Sequence, residues 1–239
     1  MRDINDAVGV TIGGYHTYKD WGLVLTSASL PNPTAKTTYV DIPGASGTID
    51  LTEAAGGIAY NDRTISLTLF ASDDVMHRCT RNGVIANAIH GKRLKIIMDT
   101  DLSHYYLGRV NFDSWEIDSK VGTLSFTITC DPWRYDLMDS SEPWMWSPFS
   151  FVDGVTTDGL TDISISGTES FNIVSSAGTV YPVIISTASI KAKIDDGSYI
   201  TIAANDESKQ WDLPITAGSH KLTLSGTATV TIKARGQSL

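Results

Sequence analysis

Two carboxylates and an imidazole, Asp99, Asp101 and His104, stand within six residues. Such a trio can hold a divalent cation. The commoner use of an Asp-Thr-Asp stretch is local, because turn aspartates accept hydrogen bonds from nearby backbone N–H groups, and neither the glycine nor the closing glutamate of a calcium loop follows. The other histidines, His16, His77, His90 and His220, form no H-x-x-x-H pair, and His90 is accounted for by the negative end of a helix. A serine nucleophile would want a G-x-S-x-G elbow, which is absent. Cys79 and Cys130 stand 51 positions apart, outside any redox or zinc spacing, and read as buried thiols. Glycine-rich phosphate loops are missing too. Two glycosidase carboxylates remain open among 27 acidic residues. Tyr199 and Trp211 offer ring faces that could stack on a sugar, in competition with a place in a core. No catalytic residue, metal or cofactor is expected from these patterns.

The elements that position these residues are mostly strands. Ile65, Leu67 and Leu69 alternate with Thr64, Ser66 and Thr68, the period-2 mark of a half-buried strand. A helix at about 73–90 follows, with Ser72 as its cap, Asp73 and Asp74 at the positive end of the dipole and Gly91 as its left-handed stop. Val75, Cys79, Ala86 and Ile89 share one stripe, so the helix lies on a sheet. Residues 94–98 read as a strand, 99–103 as a turn and 105–109 as the return. A phase change across Asp113-Ser114 predicts a bulge. Leu124, Phe126, Ile128 and Cys130 then alternate cleanly. Residues 31–60 carry Pro31, Pro33, Pro43, Gly44, Gly47, Gly56 and Gly57 around short apolar pieces. That pattern predicts a projecting hairpin with too few apolar side chains for its own core, so it must dock on something.

Residues 136–152 form a connector rich in proline and tryptophan, and the composition then turns to Thr, Ser and Ile. Short strands at 163–165, 170–174, 180–185, 190–194, 199–203, 211–215, 221–224 and 228–233 have the spacing of a β-sandwich. The expected organisation is mainly β: an N-terminal split-barrel-like domain over 1–135 with one helix and a projecting hairpin, then the connector, then a sandwich over 153–239. The chain of 239 residues, 41% hydrophobic and 19% charged, has enough apolar content for such cores. Its formal charge of -9 comes from 12 basic against 16 acidic residues before Asp139 and 6 against 11 from Asp139 on. Neither half is built to grip phosphate backbones. No apolar run approaches the roughly 20 residues of a spanning helix, and Met1 is followed by no apolar leader, so synthesis in the cytosol without membrane insertion is expected.

One order of motifs goes beyond composition. Gly13-Gly14 is followed by Tyr39-Val40-Asp41-Ile42-Pro43-Gly44, Gly47-Thr48-Ile49-Asp50-Leu51 and Tyr60-Asn61-Asp62-Arg63. Ile89-His90-Gly91-Lys92, Asp99, Tyr105-Tyr106-Leu107-Gly108-Arg109 and Cys130-Asp131-Pro132-Trp133 come next. Over about 1–135 this resembles the distal tail (Dit) family of long non-contractile-tailed phages and prophages. Tyr181-Pro182, the 190–203 hairpin and the 229–236 strand resemble, more loosely, the family's galectin-like sandwich. The resemblance implies a structural protein without enzymatic activity, forming a homo-hexameric ring at the virion tail tip. The ring would join the tail tube protein to a tail-associated, lysin-like hub protein and possible receptor-binding proteins, with DNA passing through its channel unheld. The hairpin would reach the neighbouring subunit through Tyr39, Ile42, Pro43, Gly44, Ile49 and Leu51. The alternative is a carbohydrate-binding sandwich protein of a phage or cell surface, stacking sugars on Tyr199 and Trp211. A glycosidase or other hydrolase is the third class.

Overall fold

Alternation in the sequence becomes a barrel wall in three dimensions. A computed structural model describes residues 8–44, 46–54, 56–71, 75–117, 122–142, 159–175 and 178–239, with the helix side chains from 80 onward. These fall into two compact units, one of 1–100 with 106–133 and 239, the other of 101–105 with 134–238.

In the first unit the strands are β1 (Val10–Ile12), β2 (Tyr15–His16), β3 (Val24–Ser29), β4 (Tyr39–Asp41), β5 (Thr48–Asp50), β6 (Arg63–Ala71), β7 (Arg93–Met98), β8 (Asp101–Ile117, in this unit from 106) and β9 (Gly122–Cys130). The main sheet runs β2-β1-β7-β8-β9-β6-β3. β6 pairs with β9 over nine residues, from Arg63 opposite Cys130 to Ala71 opposite Gly122. β9 also pairs with β8, whose register shifts between Phe112 and Ser114, the predicted bulge. The sheet curls until its ends approach, where the Leu25 N–H donates to the Val8 carbonyl at 3.2 Å and that of Leu23 to Thr17 at 2.8 Å. The apolar set of β6 and β9 (Ile65, Leu67, Leu69, Leu124, Phe126, Ile128) lies wholly inside with Val10, Ile12 and Leu23. This is the split-barrel core.

The helix α1 spans Val75–Ile89. The predicted cap at 72–74 and the side chains of Val75 and Cys79 lie outside the described residues. Gly91 adopts φ 72°, as a C′ glycine should. The Lys92 ammonium adds donors to the carbonyls of Asn87 (3.0 Å) and Ala88 (2.8 Å), favourable to the helix dipole. The described buried stripe is Ile85 and Ile89, backed by Ala88. Ala86, expected on the stripe, is only half-buried, because one residue step turns the helix by about 100° away from Ile85.

The second unit contains β10 (Arg134–Asp136), β11 (Ile163–Ser175), β12 (Val183–Ser186), β13 (Ile190–Ile194), β14 (Ile200–Ile202), β15 (Gly218–Lys233) and β16 (Gln237–Ser238). β10 pairs with β16 and with the start of β8. β11 and β15 pair over thirteen residues without interruption. The other edge of β15 is shared, its 222–225 stretch taking β13 and its 230–233 stretch β12. Between these stretches Gly226 (φ 150°) faces Gly167 (φ 88°), and a Cβ at Gly226 would stand 2.9 Å from Ile190 Cγ2. A glycine pair at one level lets both strands bend together. Each half of the bent ribbon then carries its own layer. Ile165, Ile184 and Val230 from one half share a core with Ile173, Ala192, Leu222 and Leu224 from the other. The sandwich is one ribbon folded across its glycines.

Four of the eight expected strands therefore merge into β11 and β15. Residues 211–215 make an isolated bridge, Val180 with Ile215, in place of a strand. The described part of the connector, 136–142, is tied into this unit: the Ser140 hydroxyl donates to the Ile232 carbonyl at 2.7 Å and accepts the Ala234 N–H at 2.8 Å. Its aromatic part, with Trp144, Trp146, Phe149 and Phe151, lies outside the described residues.

Candidate assembly surface

The one trio with metal-binding chemistry is divided, Asp99 on one side and Asp101 with His104 on the other. In the first unit Asp99 accepts the Gly9 N–H at 2.7 Å and stands 3.0 Å from His16 Nε2. His16 Nδ1 receives the N–H groups of Tyr18 (3.2 Å) and Lys19 (3.1 Å), so it must carry a lone pair and the proton sits on Nε2, facing Asp99. In the second unit His104 is buried, with Nδ1 2.9 Å from Asp101 and Nε2 3.4 Å from Asp136, while Arg134 lies 3.4 Å from Asp101. Both clusters order backbone. Among the described residues no group of three His, Cys, Asp or Glu side chains has metal-holding geometry. His90 does more than face a dipole: its Nδ1 accepts the Phe112 N–H at 3.0 Å, pinning β8 beside the helix end. Cys130 is buried and free, and burial pushes its thiol up to about 12 against the opposing pull of Arg63. It is inert near neutral pH.

The projecting hairpin is the outer end of a longer ribbon. β3 pairs with β6, Ser29 facing Ser66, and six residues further out on each strand Ala35 bridges Tyr60 in the same register. The neck is tied by Lys36 N–H to the Ala59 carbonyl at 2.8 Å and Asn61 N–H to the Thr34 carbonyl at 2.8 Å. Beyond it β4 and β5 form their own two-stranded sheet, pairing Tyr39 with Asp50, Val40 with Ile49 and Asp41 with Thr48. Gly44 (φ 86°) and Gly47 (φ 84°) turn the tip. Thr52 donates to Asp50 from its backbone at 2.9 Å, and its hydrogen bonds hold the Asp50 carboxyl below the usual range.

Directly paired residues share a face of a sheet, and neighbours along a strand alternate. Val40 and Ile49 therefore lie on one face. Ile42 and Leu51 follow in phase, Leu51 being hydrogen-bonded to the Thr38 carbonyl at 2.9 Å. Tyr39, Asp41, Thr48 and Asp50 lie on the other. Every residue of β4 and β5 is exposed, and Val40, Ile42, Ile49 and Leu51 are each 43–46% open. Of the residues singled out in the sequence, Ile42, Ile49 and Leu51 share the apolar face, Pro43 and Gly44 form the tip, and Tyr39 stands on the acidic face. Val40 belongs with the apolar set. Period-2 alternation through Val40 and Ile42 was the signal that places it there. Tyr199 and Trp211 are also exposed, but each has its own neighbour: Lys193 Nζ lies 5.3 Å from the Tyr199 ring, and Trp211 leans on Tyr181 at 4.8 Å.

No protein-family model and no curated protein matches the sequence. Among solved structures, the SPP1 Dit (gp 19.1) protein, described as a paradigm of the hub adsorption apparatus in Gram-positive-infecting phages, aligns with a TM-score of 0.65. The alignment covers 98% of this chain and 100% of that one, at 12% identity. The chain has the Dit fold. A chain from the phage p2 baseplate in its activated conformation with Sr aligns over 96% of this chain and 98% of its own, at 8% identity and a TM-score of 0.40, too distant to add to the fold.

Within this Dit fold two motif pieces far apart in sequence meet. Arg63 is buried, its Nε donating to the Pro132 carbonyl at 2.8 Å, its Nη2 donating to the same oxygen, and its guanidinium lying 5.4 Å from the Tyr106 ring centre. Tyr60 and Trp133 meet edge to face at 5.4 Å. The arginine thus fastens the turn after β9 to the start of β6, at the base of the arm. Just past the helix end, Arg93 is paired with Asp131 at 2.6 Å and Lys92 with helix carbonyls.

Proposed function

We propose that the chain is a structural component of a phage tail tip, in which six copies close a ring and the arm of each copy lies on the next. The ring joins the tail tube protein to a tail-associated hub protein, with C-terminal galectin-like sandwiches carried outside and receptor-binding proteins as further neighbours. Its work is assembly, with interfaces in place of catalysis. The observation that carries the reading is the arm itself: Val40, Ile42, Ile49 and Leu51 form one apolar face held out from its unit on a tied neck. A two-stranded ribbon of this kind is marginal alone and gains stability when that face is covered. A heterologous contact, arm onto the next body, closes into a ring when its rotation closes. The fold likeness along the full chain supports the same reading.

DNA passage follows from charge. Six copies at -9 each give the ring a large net negative charge, and with about 8 Å of screening in physiological salt the wall repels only phosphates that come close. The decisive experiment replaces Val40 and Ile49 with aspartate and measures particle mass by light scattering, alone and with the tail tube protein. The expected result is sixfold the 25.8 kDa chain mass for wild type and the chain mass for the variant, with unchanged circular dichroism. A variant that still reaches the sixfold mass refutes the arm contact.

A further inference from the structure

Trp211 is 66% exposed, more than any other large apolar residue described. Its backbone is nonetheless tightly fixed. Lys209 bridges Val183, the Gln210 N–H donates to the Pro182 carbonyl at 2.9 Å, and Val180 and Ile215 exchange two backbone bonds of 2.8 Å. Leu213 and Ile215, two and four residues on, are anchored in the core. The same pinned segment, 180–183, carries Tyr181, whose ring meets the indole at 4.8 Å and 51°. A large ring held outward on a rigid seat is pre-organised for stacking, because little freedom is lost when a ligand arrives. The surroundings are polar. Lys209 Nζ lies 5.8 Å from the indole centre, and Asp206 is held by Ser208 N–H (2.9 Å) and the Gln210 amide (3.2 Å).

Three ligand classes stack on such a ring. A protein partner needs about 800 Å² per side, and a lone indole with Tyr181 in a polar loop is far smaller. Single-stranded nucleic acid stacks on aromatics but needs a basic groove, and this half of the chain carries 6 basic against 11 acidic residues. A saccharide fits. Its ring presents an apolar C–H face to the indole, and its rim of hydroxyls meets fixed donors and acceptors. We propose that Trp211 and Tyr181, flanked by Lys209, Asp206 and Gln210, form a stacking site for one pyranose unit of a saccharide. Tyr199, occupied by Lys193, stands outside it.

The test incorporates fluorotryptophan into the full chain and follows the six tryptophans by fluorine NMR, with W211F identifying the Trp211 resonance. Maltohexaose, cellohexaose and chitohexaose are titrated separately into the millimolar range. The expected result is a saturable shift of the Trp211 resonance with at least one of them. W211A should cut retention on the same immobilised sugar about tenfold, and Y181A severalfold. W211A sits at an exposed position and should keep the wild-type thermal transition, so lost retention reports the site. No shift with any of the three sugars overturns the proposal. So does undiminished retention of W211A. A Trp211 resonance that moves with protein concentration, or with single-stranded DNA, and not with sugar also overturns it, assigning the ring to a second copy or to nucleic acid.

Discussion

Arg63 holds the first unit together at the base of its arm, and replacing it with methionine measures by how much. R63M keeps the volume and removes every donor. The Pro132 carbonyl loses both guanidinium bonds, and a hydrogen bond to a charged group contributes about 1.5–3 kcal/mol. The Pro132 carbonyl is half-buried and water can take it up, so the further loss is the contact with Tyr106, about 0.5–1 kcal/mol. The sum is about 2–4 kcal/mol, or roughly a hundredfold in an opening equilibrium at its middle. Cys130 reports it locally, because Arg63 faces Cys130 across the β6–β9 ladder and the buried thiol is protected in the closed state. Alkylation at pH 8, located on the Cys130 peptide by mass spectrometry, should run about a hundredfold faster in R63M than in wild type. R63K, which retains the charge and a single donor nitrogen in place of the guanidinium fork, should fall between. Labelling of R63M within about threefold of wild type would refute the clamp, whatever the melting temperature did.

Three further outcomes are expected. Gly108→Ala should cost the first unit about 1–3 kcal/mol or more, read as a lower thermal midpoint, since a Cβ there stands 2.5 Å from Cys130 Sγ, 2.8 Å from the Thr129 carbonyl and 2.9 Å from Ile128 Cγ2. Rescue by C130A should be partial, because two of those three atoms remain; full rescue would show that the backbone contact is harmless. The Asp195 carboxyl is held below its ordinary 3.8 by the His220 hydrogen bond and then by the Lys221 N–H, so its contribution is present above about pH 4 and lost as pH falls through the lowered value. D195N should flatten the acid limb of unfolding of the second unit, and an unchanged limb would mean that the pair contributes nothing. Filter binding of the assembled ring to short duplex DNA at low salt should detect no complex, and tight binding that weakens steeply with salt would place basic groups on the DNA path.

Much of the fold was legible because alternation is a local signal. Ile65-Leu67-Leu69 and Leu124-Phe126-Ile128 announce their strands, and a phase change announces the bulge at Asp113, because phase is written in neighbouring residues. The second unit reads, from sequence, as more strands than it has. Gly167-Thr168 and Gly226-Thr227 look like turns one strand at a time, and only their pairing across the ribbon makes them bends within continuous strands. The trio of Asp99, Asp101 and His104 shares a stretch of sequence and no common site. Strand geometry sends Asp99 to His16 and leaves Asp101 with His104 beside Asp136, and His16 and Asp136 are far away along the chain. The arm was legible as an excursion from its glycines and prolines. Its two unlike faces needed the register of Val40 with Ile49.

The bent ribbon also orders events during synthesis. β15 is the strand on which β11, β12 and β13 all pair, and it follows every one of them along the chain. While a ribosome is still making residues 163–217, those earlier strands have no hub to pair with and their apolar residues have no closed core. Pairing Ile163 with Val230 also closes a long loop, and such non-local contacts form slowly. The first unit, whose strands precede residue 131, can complete its barrel meanwhile. Nascent chains stalled before Gly218 should therefore carry a protease-resistant first unit and a protease-sensitive second one.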